Sequence, residues 1–122
     1  KETTRFNPVG IEYDENLYNT AKKNIFKTCD FNHNQVNLVL DTATNFEKYI
    51  TTDNLIIYLY NSFQGKTLDD VLSLLSKYNH ILIYIDPVEK YKLKKFKYNI
   101  ISKRQGKYNA DTWLVARKQN NE

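Results

Sequence analysis

Four polar residues follow directly on apolar runs, where they could do chemistry. Glu12 closes Val9-Gly10-Ile11, Asp41 follows Val36 to Leu40, Asn61 follows Leu55 to Tyr60, and Asp86 follows Ile81 to Ile85. A carboxylate only accepts hydrogen bonds, whereas an amide both donates and accepts. Glu12 and Asp41 therefore suit hydroxyl or amino groups, and Asn61 suits either partner. Each also has a plainer use. Glu12 can be a solvated strand-end acid, Asn61 can close a turn, and Asp86 before Pro87 reads first as a turn residue. His33 and His80 are isolated, without the spacing of metal ligands, so no metal site is expected. Cys29 has no histidine near it in sequence and is not expected to be a nucleophile.

The chain has 122 residues, a length that suits one domain over 1–122, and 41% of them are hydrophobic. Its longest apolar run, Leu55 to Tyr60, falls far short of the ~20 residues of a membrane helix. No membrane association is expected. A single cysteine excludes an internal disulfide and fits a reducing, cytoplasmic location. The net charge is +4. It either favours an anionic partner such as nucleic acid or simply solvates a Lys-rich, Asn-rich surface. With 3 Gly, all isolated, the chain contains neither GxGxxG nor GxxxxGK[ST].

The apolar pattern places these residues on alternating elements. Val9 to Tyr13 reads as a strand. Asp14 can cap a helix over Glu15 to Thr28, on which Leu17, Ala21 and Ile25 form a stripe. Val36 to Leu40 is a second strand and Thr44 to Ile50 a short helix. Leu55 to Tyr60 is a third strand, apolar almost throughout, as expected when both faces are covered. Thr67 with Asp70 resembles a capping box, starting a helix that runs to about Tyr78. Ile81 to Ile85 is a fourth strand. Val88 to Lys97 carries five lysines and reads as a basic connector or short helix, solvated by default but able to meet an anionic substrate. Tyr98 to Lys103 and Thr112 to Ala116 form a closing antiparallel pair. Strand-helix alternation implies an α/β fold with a mostly parallel sheet and helices on both faces.

In this order the segments resemble the class I, Rossmann-like S-adenosylmethionine-dependent methyltransferases, over about Phe6 to Arg117. The run Phe6 to Asp14 with its helix looks like that family's second strand, whose terminal acid takes the cofactor's ribose hydroxyls. The resemblance gives that role to Glu12 and lays Tyr13 against the adenine. Val36 to Phe46 looks like the segment that often carries Gly-Asp-Ala, with Asp41, Thr42 and Ala43 in those places. The family's adenine-binding Asp is thus replaced by Thr42. Either Asp41 reaches round to the amino group or adenine recognition is altered. Tyr60-Asn61-Ser62-Phe63 looks like the Tyr-Asn-Pro-Phe segment that faces the methyl-donor sulfur and the acceptor, with Ser62 in place of Pro. Tyr60 falls to the cofactor by this resemblance, and Asn61, Ser62 and Phe63 to the substrate. Asp86 stands where the family has Asn after its fifth strand. Tyr58, Tyr60 and Tyr84 otherwise read as packing residues.

The family's first strand, glycine-rich loop and first helix should precede Phe6. Their absence implies a portion of the domain, with a preceding segment or a partner chain completing the sheet. The expected function is methyl transfer from S-adenosylmethionine to an unidentified acceptor. A methyltransferase-like binding module without catalysis is the alternative, suggested by Thr42, Ser62 and Asp86. A basic nucleic-acid-binding domain is a further one, for which no ribonucleoprotein or helix-turn-helix signature is present.

Overall fold

The computed structural model describes residues 8–28, 37–52, 54–60 and 64–119. The chain comprises two compact units, residues 1–50 and 51–122.

In the first unit, β1 (Val9–Glu12) pairs in parallel with β2 (Asn37–Leu40), Val9 opposite Asn37 and Glu12 opposite Leu40. Gly10 lets the strands approach closely, since a Cβ there would stand 3.0 Å from Leu38 Cδ1. Between them runs α1 (Glu15–Thr28), with the bounds expected from the sequence. Its start is held as predicted: Asp14 Oδ1 accepts from the amides of Asn16 at 2.8 Å and Leu17 at 3.1 Å. The short helix after β2 is a 3-10 helix, Ala43–Tyr49.

The second unit is a four-stranded sheet in the order β3-β4-β6-β5, made of β3 (Asn54–Tyr60), β4 (Asn79–Ile85), β5 (Tyr98–Arg104) and β6 (Trp113–Lys118). β3 and β4 are parallel, and β6 runs antiparallel to both β4 and β5. The expected closing pair is thus present, with β6 inserted between β4 and β5. α2 (Gly65–Leu75) connects β3 to β4, and the single turn α3 (Lys92–Lys95) precedes β5.

Register explains the core. Leu55, Ile57 and Leu59 lie beside His80, Leu82 and Tyr84, which continue into Ala116 and Leu114. On this face Leu55 and Ile57 are half-buried and the others are buried, as are Leu68, Val71, Leu72 and Leu75 of α2 and Leu93 of α3. Each fully buried leucine contributes about 1.5–3 kcal/mol relative to exposure. The opposite face of β3 departs from expectation. Ile56, Tyr58 and Tyr60 are 60%, 62% and 47% exposed, so the apolar run is covered on one side only among the described residues.

The capping box is corrected as well. α2 begins at Gly65, two residues before Thr67, and Asp70 pairs with Lys66 at 3.0 Å. The cap is tertiary: Glu89 Oε1, from the turn after β4, accepts from the Gly65 amide at 2.9 Å. A charged acceptor from elsewhere in the chain replaces the local one. No helix among the described residues is long and apolar enough to cross a membrane.

Candidate functional site

Parallel pairing brings the carboxyl ends of β1 and β2 side by side, and five predicted residues gather there: Glu12, Tyr13, Asp41, Thr42 and Ala43. The Asp41 amide donates to the Glu12 carbonyl at 3.0 Å, which extends the ladder one step past both strands. Glu12 is half-buried. Its Oε2 accepts from the Asp14 amide at 3.1 Å, and its Oε1 has no hydrogen-bond partner among the described residues. Asp14 thus has two tasks, as its amide steadies Glu12 while its carboxylate caps α1. Tyr13 is 80% exposed.

Asp41 is turned inward onto its own loop. Oδ1 accepts from the Thr42 amide at 2.7 Å and from Asn45 Nδ2 at 2.8 Å. Oδ2 accepts from the Tyr49 hydroxyl at 2.6 Å, with Lys48 Nζ at 3.8 Å. The Tyr49 bond, followed by those from Asn45 and Thr42, holds the carboxyl down to about 2. The same bond raises the Tyr49 hydroxyl. Asp41 therefore orders the 3-10 turn that carries Thr42 and Ala43, and both of its oxygens are engaged. The sequence offered Asp41 as an acceptor for an outside amino group. Its geometry makes it a loop-ordering residue as well. The signal for this was its spacing to Asn45 and Tyr49, four and eight residues on, which a helical turn brings to one side.

In the second unit, Tyr60 ends β3 and is partly exposed, while Asn61, Ser62 and Phe63 lie outside the described residues. Asp86 is the turn residue anticipated. It has a φ of 52°, and its amide donates to Thr112 O at 2.8 Å, fastening the end of β4 to the start of β6. Tyr84 is buried in the core.

Two clusters were not anticipated. Lys92, read from the sequence as part of a solvated connector, is largely buried. Its Nζ meets Asp69 and Glu89 at 3.1 Å each and donates to Gly65 O at 2.9 Å. The Gly65 amide and Lys92 hold the Glu89 carboxyl below its ordinary range. The network fixes the first turn of α2. Its only sequence signal was the Glu89/Lys92 spacing.

The other cluster is His80 with Tyr98, both buried in the core. His80 Nδ1 lies 2.8 Å from Tyr78 O and Nε2 2.5 Å from the Tyr98 hydroxyl. A carbonyl can only accept, so Nδ1 carries the proton and Nε2 accepts from Tyr98. Burial pushes the histidine down and the tyrosine up. Among the described residues no three His, Cys, Asp or Glu side chains are grouped so as to hold a metal. His33 and Cys29 lie outside the described residues.

No protein-family model matches the chain, and no curated protein matches it by sequence. Solved structures do match in fold. SMU.1697c of Streptococcus mutans, solved with SAH, superposes with a TM-score of 0.63 at 14% identity, over 93% of this chain and 76% of that one. An rRNA methylase from Streptococcus thermophilus gives 0.58 at 14% identity, over 93% and 74%. TrmK of M. capricolum, with S-adenosyl-homocysteine bound, gives 0.54 at 17% identity, over 92% and 51%. At such identities the likeness is one of fold. The chain has a class I S-adenosylmethionine-dependent methyltransferase-like α/β fold.

Proposed function

We propose that the chain is the carboxyl-side portion of an S-adenosylmethionine-dependent methyltransferase whose cofactor ribose is held at Glu12. The observation that carries this is the Glu12 carboxylate, steadied by the Asp14 amide through one oxygen and unbonded at the other, at the carboxyl end of a parallel strand. Ligands of open α/β sheets bind outside those ends. Vicinal hydroxyls are two donors, and the carboxylate can accept from both. Structures of this fold with SAH bound support the same cofactor here.

The fit to the cofactor is uneven. Glu12 and the exposed ring of Tyr13 suit the ribose and the adenine face. Asp41 already accepts three hydrogen bonds within its own turn, which leaves one of the roughly four acceptor sites of its carboxylate for the adenine amino group. We assign adenine recognition chiefly to the backbone beside Ala43, whose turn Asp41 orders. Tyr60, Asn61, Ser62 and Phe63 are assigned in the same reading to the sulfur and acceptor side.

When bound, S-adenosylmethionine supplies an electrophilic methyl group on a sulfonium. The chain's residues then need only bind, align and exclude water, which requires few charged groups. The glycine-rich loop is supplied in this reading by chain outside these residues or by a partner.

The test is calorimetric titration of S-adenosylmethionine and S-adenosylhomocysteine into the full-length protein and its Glu12→Ala variant. Micromolar binding, weakened at least tenfold by the substitution, is expected. Absence of binding to the full-length protein would sink the reading. A second reading, a binding module without catalysis, is favoured by Thr42 and Ser62 at positions where the family carries Asp and Pro. It predicts cofactor binding without turnover against any acceptor.

A further inference from the structure

The positive charge is concentrated in one stretch of the sequence. Residues 90–118 hold ten of the chain's 18 Lys and Arg, against one acid, Asp111. Lys92 and Lys118 are taken up internally, Lys92 by Asp69 and Glu89, and Lys118 by Ser76 Oγ and the Phe96 carbonyl. Lys94, Lys95, Lys97, Lys103, Arg104 and Lys107 are exposed, and none is paired with a carboxylate among the described residues. They lie at the two ends of β5, which is the edge strand of its sheet. Seven residues at ~3.3 Å each put about 20 Å between those ends.

The loop from β5 to β6 is built to be rigid. A Cβ on Gly106 would stand 2.2 Å from Asp111 Cβ and 2.6 Å from Asp111 O, so only glycine fits. The Gly106 amide donates to Thr112 Oγ1 at 3.1 Å, and that hydroxyl donates to Tyr108 O at 3.2 Å. This frame presents Tyr108, 64% exposed, with Lys107 Nζ 5.7 Å from its ring centroid. Neither side chain helps to hold the loop together.

Register relates this loop to Tyr60, assigned above to the sulfur and acceptor side. Tyr60, Ile85, Trp113 and Arg104 stand in one row across β3, β4, β6 and β5. Three interstrand steps of ~4.8 Å place the backbone of Arg104 about 14 Å from that of Tyr60.

We propose that the exposed edge of β5 and the loop Gln105–Asp111 are a docking surface for single-stranded nucleic acid, with Lys103, Arg104 and Lys107 on phosphates and Tyr108 stacked on a base. Cations at both ends of an edge strand, beside a rigidly presented aromatic ring, meet both needs of a single strand. An acidic peptide would use the charge but has no base for Tyr108. The proposal names the acceptor class of the methyltransferase reading and rests on that reading for this step only.

The test measures fluorescence anisotropy of labelled twelve-nucleotide RNA and DNA with the full-length protein across a salt series. Three variants are compared with wild type: Lys103→Glu/Arg104→Glu/Lys107→Glu, Tyr108→Ala, and Lys22→Glu/Lys23→Glu on α1 as a charge control. All sites are exposed, and unchanged melting temperatures confirm folding. The triple variant should weaken binding at least tenfold and flatten the log-log salt slope by about two, at ~0.7 per phosphate contact. Tyr108→Ala should weaken it at least fivefold and leave the slope unchanged. The α1 control should shift it less than threefold. Wild-type affinity in the triple variant overturns the proposal. So does a neutral Tyr108→Ala with polyglutamate competing as well as oligonucleotide, or binding to phosphatidylserine vesicles but not to oligonucleotides. S-adenosylmethionine titration of the same variants separates the two readings. Cofactor binding without oligonucleotide binding removes the docking surface alone, and the reverse removes the methyltransferase reading alone.

Discussion

The amide of Asp41 donates to the carbonyl of Glu12 at 3.0 Å, one step beyond the end of the β1–β2 ladder. The bond ties together two loops that come from separate stretches of chain. It also separates two carboxylates by task. Glu12 keeps one oxygen open, whereas Asp41 spends both on its own turn.

Exchange of these two residues should therefore have opposite consequences. Glu12→Ala is expected to weaken S-adenosylmethionine by tenfold or more with little change in melting temperature. Asp41→Ala is expected to lower the melting temperature first, by releasing Tyr49, Asn45 and the Thr42 amide. Calorimetric titration and thermal unfolding of both variants check the contrast. Equal effects on both quantities would contradict it.

Acid stability should report on Asp41. Its carboxyl ionises near 2 in the folded chain, against 3.8 ordinarily. A depressed carboxyl stabilises the fold above the ordinary value, and this is lost as pH falls from about 4 through 2. Asp41→Asn should be less stable than wild type at pH 6, and the gap should narrow by pH 2. Circular-dichroism melts at the two pH values measure it.

The His80–Tyr98 pair should act in a different window. Burial lowers the histidine, so the unfolded state takes up the proton first as pH falls below about 6.5. Stability from this site is present above that pH and is lost through the folded value. Tyr98→Phe leaves Nε2 buried without a donor, at a cost of about 1–3 kcal/mol. Urea unfolding between pH 8 and 5 should show wild type weakening toward pH 5, and should show the Tyr98→Phe deficit at pH 8.

Gly106→Ala tests whether the β5–β6 loop is as rigid as its packing implies. The added methyl meets Asp111 backbone, which cannot swing aside as a side-chain tip can. A loss of about 1–3 kcal/mol is expected. Hydrogen exchange should quicken at the amides of Gly106, Asp111 and Thr112. Unchanged protection there would show that the loop yields easily.

By itself, the sequence determined the elements and their order. Apolar runs and a local cap placed α1 to the residue, and the strands to within a few residues, because periodicity and capping depend on near neighbours. It also pointed to Glu12 and Asp41 as strand-end acids. Tertiary structure alone decided how those acids are bonded. Asp41 is committed by the way its turn closes on Tyr49 and Asn45, and α2 is capped by Glu89, 24 residues downstream of Gly65. The connector lysines were divided in the same way. Lys92 went to the ion network while its neighbours stayed in solvent. The choice between a buried and a solvated cation depends on which carboxylates the fold brings within about 3 Å, and linear spacing does not carry that information.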